Sequence, residues 1–248
     1  MTLGGLEGFR LGPDDALFLD FDGTLAEIGP DPDAIWLPEL THRDLEALAR
    51  HLGGALAIVS GRDLRDLAQR APAGIWRLGG HGLEVLSPGM EPAPSAARIP
   101  NAVLAALADV ARRPGVRLEV KGPVVAVHYR ASPEQGPACL AAAEVAARTV
   151  PGHVAQAGKM VVEVKPKDAH KGTALRRLMG ALPFAGRRPV MLGDDATDED
   201  AMSAALALGG AAVTVGVGET VASLRAPDPK SVRCWLEREA SAVRRPFG

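Results

Sequence analysis

The amino-acid sequence predicts an α/β fold, a doubly wound parallel-sheet core interrupted by an inserted α+β unit. Short apolar runs ending in polar or acidic residues alternate with helical patterns as far as Glu84. A stretch holding Pro88, Pro92, Pro94 and Pro100 then leads into alternating β segments, and beyond Pro166 the first rhythm resumes. The core is therefore placed on residues 1–86 and 167–248, and the insertion on residues 87–166.

Ala16 to Asp20 is a short apolar run ending in acid, and Gly23 interrupts it too soon for a helix, so it reads as a buried parallel strand. A helix starts near Thr41, whose hydroxyl can cap it, and aligns Leu45, Leu48, Ala49 and Leu52 before Gly53-Gly54 stops it. A second buried strand, Leu56 to Val59, ends at Ser60-Gly61-Arg62. A helix through Leu64 and Leu67 and a strand from about Ile75 to Leu78 complete this half. In the insertion, a helix from Asn101 to Arg112 precedes strands Val116 to Lys121 and Val124 to Arg130, joined by hairpin chemistry at Gly122-Pro123. A helix from Pro133 to Thr149 and strands His153 to Ala157 and Met160 to Val164 follow. The returning core reads as helix Lys171 to Ala181, strand Pro189 to Leu192, helix Thr197 to Leu208 and strand Ala211 to Val215. The basic pair Arg244-Arg245 reads as disordered surface.

With 47% hydrophobic, 23% charged and 4% aromatic residues, the 248-residue chain has a core filled by Leu, Val and Ala, and aromatic-rich binding platforms are not expected. A net charge of −2 without a Lys/Arg run gives no footprint for nucleic acid. Cys139 and Cys234 lie far apart, have no metal-ligand spacing, and read as small apolar core residues in a reducing cytoplasm. Met1 to Gly12 lacks a basic start with an apolar stretch behind it, and no run approaches the roughly 18 apolar residues of a membrane span, so neither secretion nor a membrane is expected.

Chemistry gathers at the strand ends. Asp20 and Asp22, two residues apart past a strand, can face one cavity, one as a nucleophile and the other giving and taking a proton. An acidic turn after an edge strand is the plain alternative, and the apolar approach to Asp20 weighs against it. Gly193-Asp194-Asp195-Ala196-Thr197-Asp198-Glu199-Asp200 holds five carboxylates in seven residues after another buried strand. Such a cluster calls for a hard cation, and oxygen ligands with a phosphate favour magnesium. Helix capping by Thr197 with acids in the first turn accounts for part of it, so Asp194 is assigned to the metal and Asp198, Glu199 and Asp200 to the helix start. Ser60 and Lys171 can hold an anion, although taken singly they read as a turn and a solvated helix start.

The ordered set DFDGT, SGR, HKG and GDDATDED resembles the haloacid dehalogenase superfamily of phosphatases. Gly80 to Glu84, Glu119 to Lys121, His128 to Arg130 and Gly158 to Pro166 are similar to segments of trehalose-6-phosphate phosphatases. The resemblance implies a Rossmann-like core with Asp20 as nucleophile, Asp22 as general acid and base, and Mg2+ held by Asp20, the Asp22 carbonyl and Asp194. It implies that Ser60, Gly61 and Lys171 hold the phosphoryl group. The insertion becomes a cap that closes over the sugar, with Arg62, His81, Glu84, Lys121, Arg130, Lys159, Glu163 and Lys165 as sugar-side residues. Exposed strand charge is the alternative for Lys121, Arg130, Glu163 and Lys165, and a turn histidine for His81.

The expectation is a cytoplasmic monomer that hydrolyses a small-molecule sugar phosphate, and the resemblance of the insertion segments implies that this is trehalose 6-phosphate. Sucrose 6-phosphate and mannosyl-3-phosphoglycerate are the rival substrates, and a phosphomutase is a weaker rival. A sugar-phosphate sensor without turnover is the rival of another class, and the retained pair Asp20 and Asp22 speaks against it.

Overall fold

The computed structural model describes residues 3–29, 31–94, 98–158 and 160–244. The chain divides into two compact units, Met1–Pro92 with His170–Gly248, and Ala93–Ala169. The first break falls after Pro92 rather than after residue 86, because residues 87–92 stay tied to the sheet. Gly89 N–H donates to the Ala73 carbonyl and Arg77 donates to that of Met90.

In chain order the larger unit contributes β1 (Gly4–Gly5), β2 (Asp15–Leu19), α1 (Glu39–His51), β3 (Leu56–Val59), α2 (Leu64–Arg70), β4 (Trp76–Gly79) and β5 (Glu84–Leu86). The smaller unit follows with α3 (Asn101–Ala111), β6 (Arg117–Lys121), β7 (Val124–His128), α4 (Gly136–Arg148), β8 (His153–Gly158) and β9 (Val161–Pro166). The chain returns to the larger unit as α5 (Lys171–Met179), β10 (Arg188–Gly193), α6 (Ala196–Ala207), β11 (Ala211–Val215), β12 (Leu224–Ala226) and α7 (Pro229–Arg244).

Among the described residues, the larger unit forms one eight-stranded sheet in the order β1-β12-β11-β10-β2-β3-β4-β5. Its neighbours run parallel except for the pair β4 and β5. Every residue of β2 and β3 is buried, which explains the apolar runs of residues 16–19 and 56–59, since a central parallel strand is covered on both faces. The strand order turns around β2, with β3 on one side and β10 on the other, and ligands of such sheets sit at the carboxyl ends beside that point. Asp20, Ser60 and Asp194 directly follow those three strands.

The smaller unit is an antiparallel sheet, β6-β7-β9-β8, joined from β6 to β7 through Gly122-Pro123, with Gly122 at φ +58°. Val125, Val127, Val162 and Val164 pack on one face against Val103, Leu107 and Val110 of α3 and Cys139, Ala143 and Ala146 of α4. The other face carries a polar row, since Glu119 pairs with Ala126, Ala126 with Glu163, and Glu163 with Gln156.

Several expectations at element ends are corrected. Helix α1 starts at Glu39 behind Pro38, whose fixed φ suits a helix entry, so Thr41 lies inside the first turn and is no cap. Helix α6 is capped by Asp195, whose carboxylate accepts from Thr197 N–H and Asp198 N–H, so the capping role does not fall to Thr197. Arg244 ends α7 and its guanidinium pairs with Asp44 at 2.9 Å, so it is ordered; Arg245 lies outside the described residues. Cys139 is buried as expected, whereas Cys234 is exposed because it lies off the buried stripe of α7 formed by Val232, Trp235, Leu236, Glu239 and Ala240. Among the described residues, no helix is long and apolar enough to cross a membrane.

Candidate active site

Asp20, Asp194 and Lys171, remote in sequence, meet beyond the ends of β2 and β10. Asp20 N–H donates to the Leu192 carbonyl at 3.0 Å, which continues the β2/β10 ladder one residue and fixes where its carboxylate starts. Lys171 opens α5 and donates from Nζ to Asp20 Oδ1 at 2.7 Å and to Asp198 Oδ1 at 2.8 Å, with all three side chains buried. Asp20, Asp194 and Asp198 each present an oxygen within 4.8 Å of the other two. Asp194 lies in the loop just ahead of the α6 cap Asp195, and Asp198 in the first turn of that helix. Its other oxygen accepts from the N–H groups of Asp194 and Asp195.

The electrostatics follow from burial. Loss of solvent pushes the Asp20 carboxyl up to about 8, against the pull of Lys171 and with help from Asp194 and Asp195. Burial, with Asp198 and Asp195 nearby, pushes Asp194 up to about 7. Asp198 is raised well above the usual carboxylate range, by burial and then by Asp20. Burial opposes the charge on Lys171, but Asp198 and Asp20 outweigh it and keep the ammonium protonated. One ammonium thus faces a larger number of buried carboxylates. Carboxyls that keep their protons for want of a countercharge would give them up to a hard divalent cation, and an all-oxygen set of this size fits one.

Asp22 is not in that cluster. Both of its oxygens accept from Arg62, from Nε at 2.7 Å and from Nη2 at 2.6 Å. Arg62 also donates to Asp66 at 2.8 Å and to the Pro32 carbonyl. Arg62 N–H donates to Ser60 Oγ at 3.1 Å, so the loop after β3 is folded back on itself. Gly61 is required there, because a β-carbon would fall 2.7 Å from His81 Cε1. His81 is buried in the left-handed region at φ +57°, and its N–H donates to the Ser60 carbonyl. Glu84 is paired with Arg65, which also binds Asp63.

Of the sugar-side candidates in the smaller unit, Lys121, Glu163 and Lys165 share the polar face of its sheet with Glu119. Lys121 is 3.4 Å from Glu119, Lys165 is buried despite its charge, and Arg130 is exposed beyond the end of β7. Lys159 lies outside the described residues. Sequence reasoning gave Asp198 to the helix start and missed it as a partner of Lys171, a contact between residues 27 apart that no spacing shows. It also missed Asp66 and Arg65, which carry no motif and pair with Arg62 and Glu84 respectively.

A mostly parallel sheet with carboxylates and a lysine beyond the carboxyl ends of its central strands is the architecture of the haloacid dehalogenase-like hydrolases. A haloacid dehalogenase-like hydrolase from Bacteroides thetaiotaomicron superposes with a TM-score of 0.64 at 16% identity, over 90% of this chain and 98% of that one. The Candida albicans trehalose-6-phosphate phosphatase C-terminal domain gives 0.77 at 24% identity, over 92% of each chain. The trehalose-phosphatase family profile matches residues 18–225. Trehalose-6-phosphate phosphatase of Escherichia coli (strain K12) is 38% identical over 92% of this chain and 87% of its own length. The chain belongs to the trehalose-phosphatase family.

Proposed function

We infer that this protein hydrolyses trehalose 6-phosphate to trehalose and phosphate through a phosphorylated Asp20. The observation that carries this reading is the buried Asp20 carboxylate at the end of β2, held 2.7 Å from the Lys171 ammonium and beside Asp194. The Asp20 oxygen attacks phosphorus while Asp22 delivers a proton to the departing sugar oxygen. Water then attacks the aspartyl phosphate, Asp22 takes its proton, and Asp20 is regenerated. Lys171, with Ser60 and Gly61, holds the phosphoryl oxygens and offsets their charge. Asp20, Asp194 and the Asp22 carbonyl would hold Mg2+, which supplies charge neutralisation for the phosphoryl group and its nucleophile.

The smaller unit is read as the cap that recognises the sugar, with Lys121, Arg130, Lys159, Glu163 and Lys165 as its polar contacts and Arg62, His81 and Glu84 on the core side. The charged row on its sheet supports this, since sugar hydroxyls are held by such groups. A cytoplasmic monomer that engages no membrane belongs to the same reading, as does the absence of a nucleic-acid partner, which the net charge of −2 supports. The test is phosphate release from trehalose 6-phosphate with magnesium, run beside sucrose 6-phosphate and mannosyl-3-phosphoglycerate. Faster turnover of either rival would move the substrate assignment, and full activity of Asp20→Asn would rule out the covalent route.

A further inference from the structure

We propose that Asp66 is a positioning residue for this hydrolysis: it fixes the Arg62 guanidinium, and Arg62 fixes the Asp22 carboxylate for its proton transfers. The proposal rests on the reading of Asp22 as general acid and base. A guanidinium is planar, so holding one edge of it sets the direction of the other. In Arg62, the edge formed by Nε and Nη2 holds both oxygens of Asp22, while Nη1 on the opposite edge donates to Asp66 Oδ2 at 2.8 Å. The plane lies 5.2 Å from the Phe21 ring centroid and is almost wholly buried.

Asp66 is itself anchored from the far side. Its Oδ1 accepts from Arg70 Nε at 2.7 Å, one helical turn further along α2. Arg70 is buried, donates to the Asp33 and Ile35 carbonyls, and covers the Trp36 ring at 4.5 Å. Burial works against ionisation of Asp66, but Arg70 and Arg62 outweigh it and hold its carboxyl below the usual range, so it stays an acceptor for both. A chain of charge-assisted hydrogen bonds therefore runs from Arg70 through Asp66 and Arg62 to Asp22. Among the described residues, Asp66 makes no hydrogen bond or ion pair with Asp20, Lys171 or Asp194, so it acts through Arg62 alone.

If Asp66 only tied α2 to the 31–36 segment, its loss would lower every activity alike. A role in aiming the acid depends on the leaving group instead. The sugar alcohol needs a proton as it departs, whereas nitrophenolate needs little help. The ratio kcat/KM for both substrates reports steps up to phosphoryl transfer to Asp20 and leaves out the later hydrolysis.

The experiment measures kcat/KM for trehalose 6-phosphate and p-nitrophenyl phosphate in the wild type, Asp66→Asn, Asp66→Glu, Arg70→Gln and Asp22→Asn, with thermal melts of each. Asp66→Asn is expected to lose about tenfold on the sugar phosphate through kcat, with KM and the aryl phosphate within about twofold. Asp66→Glu should recover part of the loss, and Arg70→Gln should show the same asymmetry at smaller size. Equal losses on both substrates, or none, in folded Asp66→Asn would overturn the proposal. Should that variant not fold, Arg70→Gln decides by the same criterion. Absence of the asymmetry in Asp22→Asn would instead overturn the assignment of Asp22 as the acid, on which the proposal rests.

Discussion

Gly23 lies so close to Asp194 that a β-carbon on it would fall 2.2 Å from Oδ2 of that carboxylate. The turn after β2 and the loop after β10 are thus fitted to one another at the acidic cluster. Gly23 also sits at φ +86°, where a side chain adds strain. Gly23→Ala is predicted to fold with a loss of about 1–2 kcal/mol and to displace Asp194. Phosphate release should fall at least about tenfold, because misplacement by an ångström at a site of this kind is severe. Near-wild-type turnover would mean that the contact does not govern Asp194.

The fold gathers oxygens of Asp20, Asp194 and Asp198 within 4.8 Å of one another, which should make the folded protein a better ligand for magnesium than the unfolded chain. Magnesium at about a hundredfold above its Kd is predicted to stabilise the protein by about 2.7 kcal/mol, read as a rise in Tm in the absence of substrate. Asp194→Asn should lose most of that rise. A wild-type Tm indifferent to magnesium would remove the cation from this cluster.

The parts of the fold legible in the sequence are those whose burial forces a pattern. β2, β3 and β10 are covered on both faces, so their apolar runs stand out, and the change to polar residues at Asp20, Ser60 and Asp194 marks the end where chemistry sits. Helix α7 was not legible, because its buried stripe includes Glu239 and its segment follows Pro227 and opens on Pro229 without a run of Leu. β1 and β12 are too short to show a period. In the site, Asp20, Lys171 and Asp194 were legible as strand-end and helix-start residues. The pairing of Asp22 with Arg62 was not, since it joins residues 40 apart through side-chain geometry alone.

Glu119 gives the smaller unit an acid-sensitive contact. Its carboxylate is 2.8 Å from His128 Nε2 and 3.4 Å from Lys121 Nζ, and these hold it down to about 2, the His128 hydrogen bond contributing most and burial opposing. A folded pKa below the unfolded value of 4.5 means that this stabilisation is complete above pH 5 and is lost as pH falls from there toward 2. After allowance for partial exposure, its size is on the order of 1–2 kcal/mol. Melts of Glu119→Gln should therefore lie below wild type at pH 7, close on it below pH 5, and converge with it only as pH approaches 2. Parallel curves across that range would show that the contact carries no net stability.

The last helix holds the larger unit together from a position the sequence did not advertise. Trp235 of α7 is buried, its indole N–H donates to the Phe9 carbonyl at 3.1 Å, and its ring centroid is 6.3 Å from that of Phe9. Trp235→Ala would remove the ring, open a cavity beside Leu236 and Ala240, and leave that carbonyl with only the Arg10 and Arg238 donors. The predicted loss is about 3–5 kcal/mol, a large share of the roughly 5–15 kcal/mol that stabilises a domain. Because α7 supplies none of Asp20, Asp22, Lys171 or Asp194, kcat measured well below the lowered Tm should stay near wild type while the melt shifts. A fall in kcat without a shift in the melt would show that α7 acts on the site rather than on the fold.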